Sequence, residues 1–460
     1  MSERSEWRPN TVAALALGLA LRILFVWKHP RFDGDTLVYG DLAHNMLQHH
    51  VYGLTENVIR PTLIRLPGYP LFLAAMFAVF GTGKYLPAIW VQVAVGLGTC
   101  WLMASLTRRL LGRRAGVVAL WAGCLCPFTA NFDAAALAES WSLFCVALAL
   151  WALERWWQTR LRRWAAVVGM ACSWAVLLRP EQGLLAAACV PVLLWFGWRS
   201  GRGGLAPAAL ASLVVALPLT IWGLRNWHVF HVVQPLAPKY ANDPEEFVSL
   251  GFNRWYRTWA VEYTSTVNTY WMYDGGAIRI SDLPARAIDS PRQRVETAHA
   301  YSQYNEVQSA MPKVDAAFAK LAAERSAAHP LRTYVLMPLG RELDMWLRPR
   351  TEFFKLPLFW WRWREHPGAS LLCLLYAALD WVYLGLAGWG LWRWRGWSRH
   401  PAAVAALVFV ALRCLLLLTI DNSEPRYTLE CFPVLWMWIG AALRRRQALS
   451  ARSSARPSEC

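Results

Sequence analysis

The chain has 460 residues, of which 56% are hydrophobic and 29 are Trp, and its mean hydropathy is +0.25. This composition excludes an ordinary soluble domain and predicts a membrane protein. The net charge of +17 does not indicate nucleic-acid binding, because Lys and Arg stand in short clusters between apolar runs. Such clusters are typical of the cytoplasmic loops of membrane proteins.

Ten apolar runs fit the roughly 20 residues that a helix needs to cross a bilayer. The first run follows Arg4 and Arg8 and lacks a small-residue cleavage site, which predicts an uncleaved first helix. We therefore predict an all-α polytopic membrane protein with about ten transmembrane helices, juxtamembrane helices and a large periplasmic loop. The predicted spans lie near 10–28, 86–107, 115–133, 134–154, 164–180, 183–198, 204–224, 368–392, 401–420 and 427–443.

The apolar run from Tyr69 to Gly81 is shorter than the roughly 20 residues of a membrane span, and it follows Pro67 and Gly68. If it crossed the membrane, the next span would carry the basic cluster 108–114 to the outer side, against the positive-inside rule. We interpret this run as a juxtamembrane helix. Both termini are then cytoplasmic, and every basic cluster falls on the cytoplasmic side.

This topology divides the chain into four parts. Residues 1–224 form an N-terminal transmembrane catalytic module that includes a first periplasmic loop, 29–85. Residues 225–367 form a periplasmic region, in which the Ala-rich stretch 291–328 predicts a solvent-exposed helix. Residues 368–443 are predicted to hold the C-terminal transmembrane helices, and residues 444–460 are predicted to form a disordered cytoplasmic tail. Function is expected in the outer loops, because a rigid bundle holds them within reach of substrate.

Two carboxylates, Asp33 and Asp35, follow the first span at the outer surface. Asp35 stands where a helix begins, so it is predicted to cap that helix. A carboxylate at a helix N-terminus is stabilised as the anion by roughly 1 kcal/mol, and a plain cap explains it as well as a catalytic role does.

Glu139 lies inside the predicted fourth span, near its outer end. Acids within the membrane normally face a polar cavity or a partner, so each one is a candidate functional residue. Arg179 and Glu181 close the fifth span, and Arg426 opens the tenth at the same outer level. We predict that these groups converge, with an arginine binding a phosphate by paired hydrogen bonds, although an interfacial anchor is the alternative for either arginine.

Two further charges, Asp380 and Arg413, lie about twelve residues into neighbouring antiparallel spans. Their similar depth predicts a structural ion pair between them, with Arg22 as a rival partner. No metal site is predicted. Nine of the ten cysteines fall in apolar runs and act as small hydrophobic residues, and the loop histidines His44, His49 and His50 offer only an alternative metal site.

Taken together, four motifs resemble the GT-C glycosyltransferases, in particular the bacterial branch related to protein O-mannosyltransferases and lipid A aminoarabinose transferases. The resemblance covers roughly residues 10–225 and 330–443. The motifs are the aspartate loop after the first span, Arg65-Leu66-Pro67-Gly68-Tyr69-Pro70-Leu71-Phe72, Ala138-Glu139-Ser140 and Pro425-Arg426-Tyr427.

The resemblance implies a catalytic aspartate on the first outer loop, facing a cavity. Asp35 matches that aspartate best, because Tyr39 follows four residues later, and Glu139 matches the acid near the outer end of the fourth span. Many relatives carry two adjacent acids, whereas Gly34 separates Asp33 from Asp35 here, so both aspartates stay candidates. The predicted catalytic residues are Asp35, Asp33 and Glu139, and the predicted substrate-binding residues are Tyr39, Arg65, Tyr69, Arg179, Glu181, Arg426 and Tyr427.

The resemblance also implies a donor sugar on a polyprenyl phosphate and inversion at the anomeric carbon. A carboxylate serves as general base for the acceptor, and arginines hold the leaving phosphate. No cofactor is then required, although a divalent metal would help and the two aspartates could bind one. The expected partners are the lipid-linked sugar, membrane lipid and a periplasmic acceptor that is a protein, lipid A, a glycolipid or a polysaccharide.

Two other functions are weighed against this one. A transporter or lipid-carrier flippase would show polar groups at the bilayer midplane in symmetric halves, and a non-catalytic subunit of an envelope glycan assembly system would tolerate loss of the acids. In every case we expect a multi-pass protein of the bacterial inner membrane, with the active site of an enzyme facing the periplasm.

Overall fold

The computed structural model describes residues 7–32, 34–201, 205–273, 275–354 and 356–443. The predictions made for Asp33 and for the tail 444–460 lie outside the described residues. Within them the chain is mainly helical, and the one sheet is a two-stranded antiparallel hairpin. The predicted all-α fold class is confirmed.

The helices and strands follow one another along the chain, joined for the most part by short turns. They are α1 Trp7–Lys28, α2 Asp35–Gln48, β1 Gly53–Thr55, β2 Ile59–Pro61, α3 Gly68–Phe80, α4 Tyr85–Leu111, α5 Arg113–Cys124, α6 Pro127–Asp133, α7 Glu139–Thr159, α8 Arg162–Leu178, α9 Gly183–Arg199, α10 Leu205–Phe230, α11 Leu250–Arg257, α12 Pro291–Val307, α13 Pro312–Ala328, α14 Met337–Leu347, α15 Pro367–Arg393, α16 Pro401–Leu417 and α17 Phe432–Ala442. A 3-10 helix, Pro425–Cys431, leads into α17.

Five of these helices, α1, α4, α9, α10 and α15, are long and apolar enough to cross a membrane by length and composition. The pair α5 and α6 makes a sixth if its 54° bend lies within one span. Helices α7, α8, α16 and α17 pack among them but do not meet that test. The described residues therefore form a multi-pass bundle, and the count of ten spans stays a prediction.

Helix α3 begins and ends on the same side of this bundle. Gly68 at its start lies against the backbone of Leu177 and Leu178, at the end of α8. Phe77 near its other end packs edge-to-face on Tyr85, where α4 begins. A helix of 13 residues is roughly 20 Å long, too short to cross the hydrocarbon. The geometry agrees with the predicted juxtamembrane helix.

The predicted fourth span, 134–154, begins too early. Residues 134–138 are not helical, because Ala135 pairs in a β-bridge with Arg31. Their backbone groups bond across to the chain that leaves α1, so α7 starts only at Glu139. Glu139 is thus the first residue of a helix and does not lie a turn inside one.

An outer unit is built from α11, α12 and α13. Its aromatic core contains Phe252, Trp255, Tyr301 and Phe318. The one exposed helix predicted at 291–328 is wrong, because the chain forms two helices that break before Pro312. Helix α13 packs on α11, and α12 packs on α13 and reaches α11 through the rings of Tyr301 and Trp255. Proline removes a backbone hydrogen bond from a helix interior but fits the first turn of a helix, which is where Pro312 stands.

Candidate active site

Asp35 is the first residue of α2, and the helix begins after Gly34, whose φ of 58° is in the left-handed region. The predicted cap is wrong, because Gly34 occupies the N-cap position and Asp35 is the first helical residue. Instead its Oδ1 accepts from Nη2 of Arg65 at 3.0 Å, and its Oδ2 accepts from Nη1 of Arg426 at 3.2 Å. The glycine turn therefore presents Asp35 to two arginines from distant parts of the chain.

These arginines decide the protonation state of Asp35. Burial alone would raise the pKa of the carboxyl group, but the charges of Arg426 and Arg65 outweigh it and lower the pKa to about 2. The carboxylate is therefore an anion throughout the neutral range. It also keeps about a quarter of its side chain accessible, at 27%.

Glu139 lies next to the ion pair of Asp35 and Arg426 and is buried, with 2% of the residue exposed. Its Oε1 accepts from Nη1 of Arg179 at 3.0 Å and lies 3.8 Å from Nη1 of Arg426. Because Arg426 also touches Asp35, the one guanidinium joins the two predicted catalytic acids. Their predicted convergence is confirmed, whereas their catalytic roles stay predictions.

Arg179 follows α8 in extended backbone, and Pro180 then opens a short 3-10 turn that carries Glu181. The Nε of Arg179 lies 2.7 Å from Glu181 Oε1. The ring of Tyr427 lies against the guanidiniums of both Arg179 and Arg426, at 5.7 and 5.8 Å to the ring centroid. These charges and this aromatic ring thus form one cluster at the C-terminal end of α8 and the N-terminal end of the 3-10 helix 425–431.

A cavity of about 720 Å³ opens over the cluster. Most of the predicted site residues line it, namely Asp35, Tyr39, Arg65, Arg179, Glu181, Arg426 and Tyr427. Two do not. Glu139 is in the layer behind the wall, and Tyr69 is fully buried beneath Tyr39, with its hydroxyl donating to Gln92 at 2.7 Å. Tyr69 supports the wall from within, and its predicted contact with substrate has no counterpart in this cavity.

The opposite wall contains residues that the sequence analysis did not single out. Lys239, Tyr240 and Trp271 line the cavity and come from the segment 236–330, which matches no motif. Asp421 lies between them, with its carboxylate 3.1 Å from the Tyr240 hydroxyl and 3.2 Å from Nε of Arg257. The one local feature of the sequence that could have pointed to this wall is the basic and aromatic pair Lys239 and Tyr240, directly after Pro238.

The predicted pair of Asp380 and Arg413 is wrong. Asp380 accepts from Nε of Arg350 at 3.0 Å, and Arg413 donates to Glu430 at 2.9 Å. Helix α15 packs mainly on α17 whereas α16 packs on α9 and α7, so the two side chains face different neighbours. Arg22, the rival partner, binds Asp133 at 2.7 Å.

Arg350 and Arg413 also fix the backbone that carries Arg426. Arg350 donates to the Pro425 carbonyl at 3.0 Å and to the Thr428 hydroxyl, and Arg413 donates to the Tyr427 carbonyl at 3.0 Å. Both arginines are buried. A buried guanidinium with several partners is costly to move, so the segment 425–428 is held from two sides and Arg426 is aimed at the cavity.

In the described part of the chain, no group of three or more His, Cys, Asp or Glu side chains is arranged to hold a metal ion. The rings of His44 and His49 lie 5.8 Å apart, without a third ligand of this kind. Asp33 is outside the described residues, so the use of a divalent metal at the aspartate loop stays a prediction.

Residues 61–222 match the family model described as dolichyl-phosphate-mannose-protein mannosyltransferase. This confirms the resemblance to GT-C glycosyltransferases over that part of the chain. The matched part holds Arg65, Glu139 and Arg179, whereas Asp35 and Arg426 lie outside it. No curated protein sequence matches the chain.

Among solved structures, the chain is similar to the oligosaccharyltransferase of Archaeoglobus fulgidus tethered with an acceptor peptide, with 13% identity, a TM-score of 0.49 and coverage of 96% of this chain and 49% of that one. It is also similar to ArnT from Cupriavidus metallidurans in the apo state, with 14% identity, a TM-score of 0.39 and coverage of 94% and 76%. A third similar structure is ArnT from Cupriavidus metallidurans bound to undecaprenyl phosphate. The sequence identity is 15% and the TM-score is 0.35, and the match covers 94% of this chain and 76% of that one. The chain spans about half the length of the archaeal enzyme.

Proposed function

We propose that this protein is an inverting glycosyltransferase that moves a sugar from a polyprenyl-phosphate donor to an acceptor on the periplasmic side of a bacterial inner membrane. The observation that carries the proposal is the anionic Asp35, held between Arg65 and Arg426 on the wall of a large cavity. The family-model match over residues 61–222 supports the same reaction class.

The donor phosphate has a natural binding place at the cavity arginines. Arg65, Arg179 and Arg426 all line the cavity, and each now contacts a carboxylate. Guanidinium groups bind phosphate oxygens by paired, charge-assisted hydrogen bonds. A phosphate that enters the cavity would replace carboxylates as the partner of these arginines. The lipid chain attached to that phosphate would then extend along the apolar helices.

Phosphate binding would also prepare Asp35 for catalysis. Once Arg65 or Arg426 turns toward the phosphate, the carboxylate loses part of the positive charge that holds its pKa down. Its pKa then rises and it becomes a better general base. The coupling makes Asp35 a proton acceptor when the donor is bound.

The reaction then balances without a further reactant. Asp35 accepts the proton of the acceptor group, whose oxygen or nitrogen attacks the anomeric carbon from the face opposite the phosphate. The bond from the anomeric carbon to the phosphate oxygen breaks, and polyprenyl phosphate leaves with the electron pair. Arg179 and Arg426 stabilise the charge that develops on that phosphate, and Glu139 behind them keeps both guanidiniums in place.

Transfer of label from a radioactive polyprenyl-phosphate sugar tests the proposal. Membranes that contain the protein are compared with membranes that contain Asp35→Asn, and products other than the lipid carrier are measured. Asp282→Asn is the matched control, because Asp282 is an exposed acid on the outer unit.

We expect a glycosidic product with the unchanged protein and with the control, and almost none with Asp35→Asn. Equal transfer by Asp35→Asn would remove the catalytic assignment. Movement of the intact labelled carrier across the membrane without product would favour a flippase. Absence of product in all three membranes, with product restored by a separate enzyme, would favour a non-catalytic subunit.

A further inference from the structure

A second cavity, of about 580 Å³, lies at the other end of the bundle from the candidate active site. Helix α16 links the two places, because Val404 near its start lines the second cavity and Leu416 near its end lines the first. Twelve residues of helix separate these positions by roughly 18 Å. The second cavity is therefore on the membrane face that carries the basic clusters, which the charge pattern predicts to be cytoplasmic.

The floor of this cavity is apolar and its rim is basic. Trp157, Phe196 and Trp397 are half-buried in its lining, and Trp157 packs edge-to-face on Phe196 at 5.3 Å. Arg199 and Arg399 are exposed at the rim. Tryptophan is enriched where the membrane meets water, because its ring is amphipathic.

The two rim arginines have no acidic partner within the part of the chain that the structure describes, and no carboxylate lines the cavity there. The Arg199 guanidinium lies over the ring of Trp195, 5.3 Å from its centroid. The contrast with the active site is direct, because every cavity arginine there contacts a carboxylate. The charges of Arg199 and Arg399 are thus available to an anion from outside the chain.

Two neighbouring groups add to this preference for an anion. Helix α16 has 17 residues and begins at Pro401, between Arg399 and Val404, which both line the cavity, so the positive end of its dipole lies beside this site. The hydroxyl-bearing residues Ser200 and Ser398 also line the cavity. Arg160 adds positive charge nearby, because its guanidinium lies 3.7 Å from the centroid of the Trp157 ring.

We infer that this cavity binds the headgroup of an anionic phospholipid in the leaflet opposite the active site. The lipid phosphate contacts Arg199 and Arg399, and the first part of its acyl chains lies on the floor of Trp157, Phe196 and Trp397. The apolar floor selects a lipid over a free anion, and the basic rim selects an anionic headgroup over a zwitterionic one.

Thermal unfolding of the full chain in detergent tests this site. Phosphatidylglycerol, phosphatidylcholine with the same acyl chains, and inorganic phosphate are each titrated into the purified protein. We expect phosphatidylglycerol to raise Tm in a saturable manner, phosphatidylcholine to raise it much less, and inorganic phosphate to leave it unchanged. An equal effect of the two lipids would overturn the proposal, and an effect of inorganic phosphate alone would replace the lipid by a soluble anion.

The double variant Arg199→Gln/Arg399→Gln locates the effect. The variant removes two arginines that each attract an anionic lipid with the strength usual at a membrane surface. We therefore expect the apparent affinity for phosphatidylglycerol to fall roughly 30-fold. The control Arg60→Gln/Arg294→Gln removes the same charge from exposed arginines elsewhere and should keep the wild-type response. Equal affinity of the two double variants would show that the lipid binds another part of the protein.

Discussion

The arginines of the cavity and those of the bundle interior meet carboxylates in different ways. Arg22 is 1% exposed, and besides Asp133 it donates to the carbonyl oxygens of Gly18 and Cys124. Arg426 keeps 18% of its side chain exposed and contacts three carboxylates, those of Asp35, Glu139 and Glu424. A fully enclosed pair holds helices together, whereas a shared and partly open one can exchange partners with a ligand.

The removal of one member of an enclosed pair should have the largest effect. Arg22→Met leaves Asp133 buried without its cation, which predicts a loss of about 3–5 kcal/mol in the free energy of unfolding. Arg22→Met/Asp133→Asn should recover most of that loss, because no unpaired charge remains. The measurement is unfolding of the purified protein by titration with a denaturing detergent, and equal losses in the two variants would contradict the interpretation.

A substitution in the cavity should act on transfer and leave folding nearly unchanged. Arg426→Gln removes a group that holds the leaving phosphate, so we expect kcat to fall roughly 10²- to 10³-fold. Its carboxylate partners can bind water or the neighbouring arginines, and Tm should therefore stay close to that of the unchanged protein. A large fall in Tm with normal transfer per folded molecule would make Arg426 a structural residue.

Arg350 shares features with both the enclosed arginine Arg22 and the cavity arginine Arg426. It is buried like Arg22 but holds the backbone at Pro425 and Thr428, next to Arg426. Arg350→Lys keeps the charge beside Asp380 and loses the forked contacts, so we expect a fall in kcat of about tenfold with the donor KM little changed. A fall in Tm with unchanged kcat would show that Arg350 only supports the fold.

The smallest and most specific effect concerns pH. The pKa of Asp35 is lowered to about 2 in the free protein, so any stability from its ionisation is complete above the ordinary aspartate pKa and is lost as pH falls toward 2. The profile of kcat/KM, which reports the free protein, should then show no acid limb from Asp35 above about pH 4.

The profile of kcat reports the donor-bound state, in which phosphate competes for Arg65 and Arg426. We expect its acid limb at a higher pH than that of kcat/KM, because the pKa of Asp35 rises when its cations turn away. Both profiles are measured with the same labelled donor. Coincident acid limbs would mean that donor binding leaves the two ion pairs of Asp35 intact.

Parts of the site were predictable because they depend on helix ends. Asp35, Glu139, Arg179 and Arg426 each stand where an apolar run begins or ends, and charge asymmetry put those ends on one side. The helix around Tyr69 was predicted for the same reason. The opposite wall was not predictable, because Lys239 and Asp421 meet across about 180 residues of chain and no local pattern joins them.

The sequence by itself determined the membrane class, the apolar runs, and which charged helix ends lie together at one end of the bundle, because these follow from local composition and length. Only the tertiary structure decided which arginine faces which acid. Depth along a helix can be counted from sequence, but the direction in which Asp380 or Arg413 points depends on how neighbouring helices pack. The non-helical segments that carry Arg350 and Glu139 into place are likewise fixed only by contacts between distant parts of the chain.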